Sequence, residues 1–326
     1  MIDEVKKGFL DLEELLDTGK QLYGEIEELT KNGLDLVILP EHLGDSVWTV
    51  SFAEAYKREN QISSLYFVCP KSQGELVQFF PGVDGVVTLT SDEMNALKIF
   101  VNVVNYHKRG HIRYGHYRKM LCYNHPNFGF QMMYEAGLTL YSAALYWLDL
   151  PNGSKASRMM EIVPEDKEEL KNMFQKSILL FPNAQSSFGN ISDGVFEMIA
   201  SFYKEKGYEV YTNYNGFEYE SVVPGTEALS STMIELASMA PYFAQVIGVR
   251  SGAMDLLAHT NTNLSIIYDA ASQEVRSTHK TPRLYQNEVL LSDVLDLVNR
   301  DEMVNYQFSH DSKDEFLRAL FSQVRV

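Results

Sequence analysis

Residues 177–212 read SILLFPNAQSSFGNISDGVFEMIASFYKEKGYEVYT. Ser177 to Phe181 is a short apolar run of strand length, as expected of a strand buried on both faces. Ser192 to Lys206 then reads as a helix, with Ser192 and Asp193 as cap candidates and Gly207 as the stop. Glu209 to Thr212 (EVYT) is a second strand. Strand, helix and strand in that order favour parallel pairing, because a helix-long crossover brings the second strand back in the same direction.

The same alternation extends both ways. Downstream, Ala244–Val249 (AQVIGV) and Leu264–Tyr268 (LSIIY) are strand candidates, with helices at Thr232–Met239 and Ala253–His259. Upstream, Leu34–Leu39 (LDLVIL), Ser64–Cys69 (SLYFVC) and Gly85–Leu89 (GVVTL) repeat the strand pattern. A single helical pattern runs through Val47, Val50, Ala53 and Tyr56. Residues 5–29 suggest an amphipathic leading helix, 128–148 a buried helix, and Pro164–Lys171 (PEDKEELK) a helical connector. Leu291 to Val326 reads as helical and is expected to pack back across the domain junction. These elements predict an α/β protein with two Rossmann-like parallel-sheet domains, residues 1–165 and 166–326.

Composition agrees with that size. The 326 residues are 45% hydrophobic and 22% charged, enough apolar material for two cores. Cys69 and Cys122 are the only cysteines, and neither sits at zinc or CxxC spacing, so neither a disulfide framework nor a metal centre is expected. A reducing cytosol suits that usage. The longest uncharged apolar-rich run, Ala136 to Leu148, has 13 residues, short of a membrane span. Lys and Arg number 28 against 44 Asp and Glu, a net charge of −16, which argues against nucleic acid as a partner.

Charge is unevenly spread. From Met94 through Tyr134 there is no acidic residue, while Lys98, Lys108, Arg109, Arg113, Arg118 and Lys119 fall inside, with His107, His111, His116 and His125. Either this is a solvated helix face and loop, or it is a basic surface for an anionic ligand or lipid headgroups.

In open parallel sheets, ligands sit beyond the carboxyl ends of the strands. Three loops follow strands there. In Pro40-Glu41-His42-Leu43-Gly44-Asp45-Ser46, Gly44 allows close backbone approach, and Asp45 is either an N-cap or a carboxylate able to take a proton, with His42 as a possible helper. The loop Pro182 to Asn190 is polar, and Asn183, Ser186 and Ser187 can donate hydrogen bonds to phosphate oxygens. In the third, an apolar strand delivers Arg250, Ser251-Gly252 turns the chain, and a helix begins, which makes a phosphate seat. Asp255 either meets sugar hydroxyls or pairs with Arg250. Neither GxxxxGK[ST] nor GxGxxG occurs.

Three segments in order, LPEHLGDSVWTVSFAEAYK, ILLFPNAQSSFGNISDGVFEMIASFYKEKGYEV and STMIELASMAPYFAQVIGVRSGAMDLLA, resemble the GT-B glycosyltransferases, and most the ADP-heptose:lipopolysaccharide heptosyltransferase group. The resemblance implies two domains facing a central cleft. It also implies an enzyme moving a sugar from a nucleoside-diphosphate sugar to a saccharide or glycolipid hydroxyl, without a metal or other cofactor and with inversion. Asp45 matches the family's base, and Ser251 and Gly252 match its diphosphate-binding Thr-Gly. Arg250 and Asp255 stand where the family has Asp and, three residues after the Gly, His. The family's lysine is missing between Pro182 and Ser192. Arg-Ser-Gly is also similar to some fucosyltransferase-like GT-B enzymes. Gly44, Arg109, Arg113 and His116 are expected on the acceptor side, and the basic segment near an acceptor-bearing membrane surface. The alternatives are a non-catalytic partner subunit of a glycosyltransferase and a sugar-nucleotide epimerase.

Overall fold

A computed structural model describes residues 2–31, 35–39, 43–109, 116–117, 120–122, 145, 148, 150–184, 191, 193–269 and 303–322. They fall into two compact units, the first including the residues up to Arg109 and on to Ser157, the second continuing from Arg158.

The first unit opens with α1 (Ile2–Lys31) and then lays down β1 (Asp35–Ile38), β2 (Leu65–Pro70) and β3 (Gly85–Leu89). Between them come α2 (Leu43–Ser51), α3 (Ala53–Asn60) and α4 (Lys71–Val77), followed by α5 (Ser91–Arg109). β4 (His116–Tyr117) and β5 (Met120–Cys122) complete a sheet of order β3-β2-β1-β5-β4. All neighbours are parallel except β4 and β5.

α1 is long because its apolar stripe has a partner. Tyr23 and Ile26 join Leu36, Ile38, Val68, Leu97 and Val101 in one core. Gly19 permits the crossing with α5, since a Cβ there would meet the Ala96 carbonyl oxygen at 2.2 Å. Thr90 and Glu93 cap α5 reciprocally, each side chain accepting from the other's backbone N–H. Cys69 is a buried free thiol whose pKa burial raises to about 12.

The second unit holds a six-stranded, wholly parallel sheet of order β11-β10-β9-β6-β7-β8. Its strands are β6 (Ser177–Phe181), β7 (Glu209–Asn213), β8 (Glu227–Leu229), β9 (Gln245–Val249), β10 (Leu264–Asp269) and β11 (Met303–Phe308). Its helices are α6 (Lys167–Phe174), α7 (Asp193–Glu205), α8 (Met233–Met239), α9 (Gly252–Leu257) and α10 (Lys313–Ser322). Every residue of β6 and β9 is buried, as central strands covered on both faces require. The order reverses between β6 and β9, the switch point at which such sheets bind ligands.

α7 buries Val195, Phe196, Ile199, Ala200 and Tyr203 against the sheet and ends at Gly207, which takes a φ of +80°. Tyr203 donates through its hydroxyl to Gln245 Oε1, and Gln245 Nε2 donates to Ser265 Oγ at 2.7 Å. This satisfies polar groups placed in the middle of the core.

Several expectations need correction. The helical pattern from Val47 to Tyr56 is two helices, with Phe52 between α2 and α3. The final stretch is not simply helical: it contains β11. Its helix α10 packs on the second unit's own core through Phe316, Leu317 and Leu320. β5 and β8 went unread because each has only three residues. The helix expected at 128–148 lies outside the described residues except Leu145 and Leu148, both buried. Among the described residues, no helix is long and apolar enough to cross a membrane.

Candidate functional site

The second unit's sheet delivers the loop after β9 to its carboxyl edge. Gly248 decides how closely it does so. Gly248 pairs with Phe181 across β6 and β9, and a Cβ at 248 would meet Phe181 Cβ at 2.5 Å. Only glycine lets β9 lie flush beneath that ring. Two residues on, the Arg250 N–H donates to the Ile267 carbonyl at 3.0 Å, fixing the start of the turn to β10.

Ser251 is extended, with φ −154° and ψ 170°, and its Oγ accepts from the Met254 N–H at 3.4 Å. It is the N-cap of α9. The hydroxyl expected at a phosphate therefore holds the helix start. The leading N–H groups of that helix, which follow Gly252, have no partner within it by construction.

Arg250 and Asp255 form an ion pair, Nη2 to Oδ2, at 3.5 Å. The Arg250 side chain is 18% exposed and that of Asp255 4%. One turn on, His259 Nδ1 lies 2.9 Å from the Asp255 carbonyl oxygen, the geometry of a ring N–H donated to it. Burial pushes its pKa down to about 4; the carbonyl bond pulls it up and the Arg158 charge adds to the fall. His259 is thus neutral at physiological pH.

On the same edge, Asn183 follows β6 and its Nδ2 donates to the Ser221 carbonyl at 3.3 Å. Ser186 and Ser187 lie outside the described residues.

In the first unit, α2 starts at Leu43, so Gly44 and Asp45 occupy its first turn and Asp45 is not the N-cap. A carboxylate there still favours the helix electrostatically. The Asp45 carbonyl oxygen accepts from Thr49 Oγ1 at 2.8 Å. Ser46 through Ser51 are all buried, and this anchors the turn. Both Gly44 and Asp45 are half-buried. His42 and Arg113 lie outside the described residues. Arg109 ends α5 and His116 begins β4.

A groove of the second unit lies elsewhere. About 460 Å³ in volume, it is lined by Met159, Glu161, Ala237, Tyr242, His259 and Asn261, among others. Tyr242 precedes β9 and Asn261 precedes β10, which places the groove at the amino edge of the sheet, opposite Arg250.

The sequence reading passed over the loop between β7 and β8, which stands on the same carboxyl edge as Arg250. Its signal was the aromatic pair of Gly216-Phe217-Glu218-Tyr219-Glu220 in an otherwise polar connection.

No family model matches the chain, and no curated protein does. Solved structures do. The glycosyl transferase family 9 protein from Veillonella parvula is similar at 12% identity and a TM-score of 0.51, over 90% of each chain. The E. coli ADP-heptose lipopolysaccharide heptosyltransferase II is similar at 15% identity and a TM-score of 0.53, over 89% of this chain and 98% of that one. At such identities the likeness establishes the fold, that of the GT-B glycosyltransferases.

Proposed function

We propose that this chain is a sugar-nucleotide-dependent glycosyltransferase. The observation that carries the reading is the Arg250-Ser251-Gly252 turn at the carboxyl edge of a wholly parallel sheet, beside its switch point, in a chain with the GT-B fold. The heptosyltransferase named above is described by its ADP-heptose donor, and the donor class proposed here is the same, a sugar linked to a nucleoside diphosphate.

The mechanism divides between two groups of residues. Asp45, helped by His42, takes the proton from an acceptor hydroxyl as it attacks the sugar's anomeric carbon, and attack from the face opposite the leaving group inverts that centre. Negative charge grows on the departing diphosphate. In this reading Arg250 and the first N–H groups of α9 stabilise that charge in place of a metal ion. Asn183, with Ser186 and Ser187 as further donors in the sequence reading, is assigned to the phosphate oxygens, and Asp255 sets the position of Arg250. Gly44, Arg109, Arg113 and His116 belong to the acceptor side. Basic residues suit an anionic saccharide or glycolipid, and they suit peripheral contact with the membrane that carries one.

One observation favours a second reading, a non-catalytic partner subunit. Arg250 is already engaged by Asp255, and Ser251 Oγ by the helix start.

Calorimetric titration with ADP, GDP and UDP, followed by transfer assays with the matching sugar nucleotides, tests both. Tight binding of one nucleoside diphosphate with turnover supports the enzyme. Failure to bind any of the three tightly supports the partner and overturns the donor site.

A further inference from the structure

β7 ends at Asn213, and the loop that follows keeps two large rings in solvent. Phe217 is 54% exposed and Tyr219 42%. Their ring centroids are 5.6 Å apart and their planes lie within 7° of parallel. Exposed aromatic surface of this kind is unusual unless something covers it.

The loop is built to hold the rings there. Gly216 takes a φ of +83°. The Glu220 carboxylate accepts from the N–H groups of Asn215 and Phe217, at 2.7 and 3.2 Å, and the Glu220 N–H donates to the Phe217 carbonyl at 2.9 Å. Asn215 Oδ1 accepts from Ser230 Oγ and the Ser231 N–H, each at 3.0 Å, so the loop is pinned to the end of β8. The backbone that carries the pair is therefore held by its own hydrogen bonds, which lowers the entropy lost on binding.

A second observation comes from the foot of the loop. Asn213 is buried and its Oδ1 has no hydrogen-bond partner; the same holds for Ser231 Oγ. Buried polar atoms left unsatisfied are rare and call for a reason. These two flank one loop, at the ends of adjacent strands.

Position supplies the third. β7 and β9 are separated by β6 alone, so their carboxyl ends lie about 10 Å apart at ordinary strand spacing. Asn183 joins the intervening loop to this one through the Ser221 carbonyl.

We propose that Phe217 and Tyr219 are the stacking platform for the nucleobase of a nucleoside diphosphate whose phosphates sit at Arg250. Asn213 and Ser231 supply polar contacts at the strand ends. The assignment rests on the donor reading given under Proposed function. Aromatic faces hold any base, because every base offers a π-surface.

Titrating the full chain with ADP, GDP, UDP and inorganic pyrophosphate tests it. In the F217A/Y219A double variant the nucleoside diphosphates lose at least tenfold in affinity while pyrophosphate stays within twofold of wild type. F217L/Y219L, which keeps apolar bulk without aromatic faces, loses nearly as much, and F217Y/Y219F restores binding. Nucleoside diphosphates binding F217A/Y219A or F217L/Y219L as they bind wild type overturn the platform. So does an equal loss for pyrophosphate. Wild type binding pyrophosphate as tightly as the nucleoside diphosphates overturns the platform alone; wild type binding none of the four overturns the donor reading with it.

Discussion

Arg250 reaches Asp255 across the first turn of α9, Nη2 to Oδ2 at 3.5 Å, and the carboxylate is the more deeply buried partner. The pair closes over the turn that the proposed diphosphate uses. A carboxylate so placed orients the guanidinium and competes with an incoming anion for it.

That competition has a sign. Replacing Asp255 with Asn removes a negative charge near the phosphates and is expected to tighten pyrophosphate binding about three- to tenfold at low salt, less at high salt. Arg250→Ala is expected to weaken pyrophosphate and nucleoside diphosphates alike, by about ten- to a hundredfold, as the loss of a charge-assisted bond would. Calorimetry at two ionic strengths reads both. Unchanged affinity in Arg250→Ala removes Arg250 from the seat.

Gly248 sets the height of the strand beneath that arginine. In Gly248→Ala the new Cβ faces Phe181 Cβ at 2.5 Å and the Phe181 carbonyl oxygen at 3.0 Å. Overpacking there is expected to cost about 1–3 kcal/mol. The substitution costs less in a Phe181→Gly background, which removes the Cβ that the new methyl meets. Chemical denaturation of the four proteins in the cycle measures the coupling, and additivity within error would show that strands β6 and β9 can part without penalty.

Much of this architecture was legible because central parallel strands carry a strong one-dimensional signal. Ser177–Phe181 and Gly85–Leu89 are strands with the bounds their apolar runs suggest. The Arg250–Asp255 pairing was open in the sequence as one of two readings, since five residues of separation let the side chains meet without requiring it. What stayed hidden depends on contacts between distant segments. β5 has three residues and exists as a strand because β1 offers it an edge at Leu36, Val37 and Ile38. β11 carries alternating polar residues, Asn305 and Gln307, that weaken its strand signal, and pairing with β10 decides its state. The cap reading of Asp45 placed the helix start after Gly44, whereas the helix begins at Leu43 and passes through both. The ring pair of Phe217 and Tyr219 escaped notice because two aromatics in a polar connection are a weak signal, and only the fold decides their exposure.

Asp45 lies in the first turn of a buried helix, where its charge is held by position rather than by a flexible loop. Asp45→Asn keeps the shape and removes the base. Transfer is expected to fall by about 10² to 10⁴ in kcat, the range of general-base contributions, with nucleoside diphosphate affinity unchanged. Loss of the favourable charge at the helix start costs only about 0.3–1 kcal/mol in stability. Turnover equal to wild type would remove Asp45 from the mechanism.

His259 makes the second unit sensitive to acid. Its ring is fully enclosed and its folded pKa is depressed to about 4, against an ordinary value of 6.5. The unfolded chain therefore takes up a proton as pH falls through 6.5, while the native ring refuses it until about pH 4. Stability from this residue is complete above pH 6.5 and declines between 6.5 and 4, by roughly 3 kcal/mol in all. His259→Gln keeps an amide near the Asp255 carbonyl and removes the titration. Urea denaturation at pH 7.5 and 4.5 is expected to show a smaller loss for the variant than for wild type. An equal loss in both would place the acid sensitivity in other groups. Such groups include Asp84, which is only partly buried: burial raises its pKa, but the Lys57 ammonium, at 2.6 Å, and the Leu65 N–H, at 2.7 Å, pull it lower still. A depressed carboxylate also loses its contribution as pH falls, but only near and below the ordinary carboxylate range. Between Asp84 and His259, the window above pH 5 therefore belongs to the imidazole.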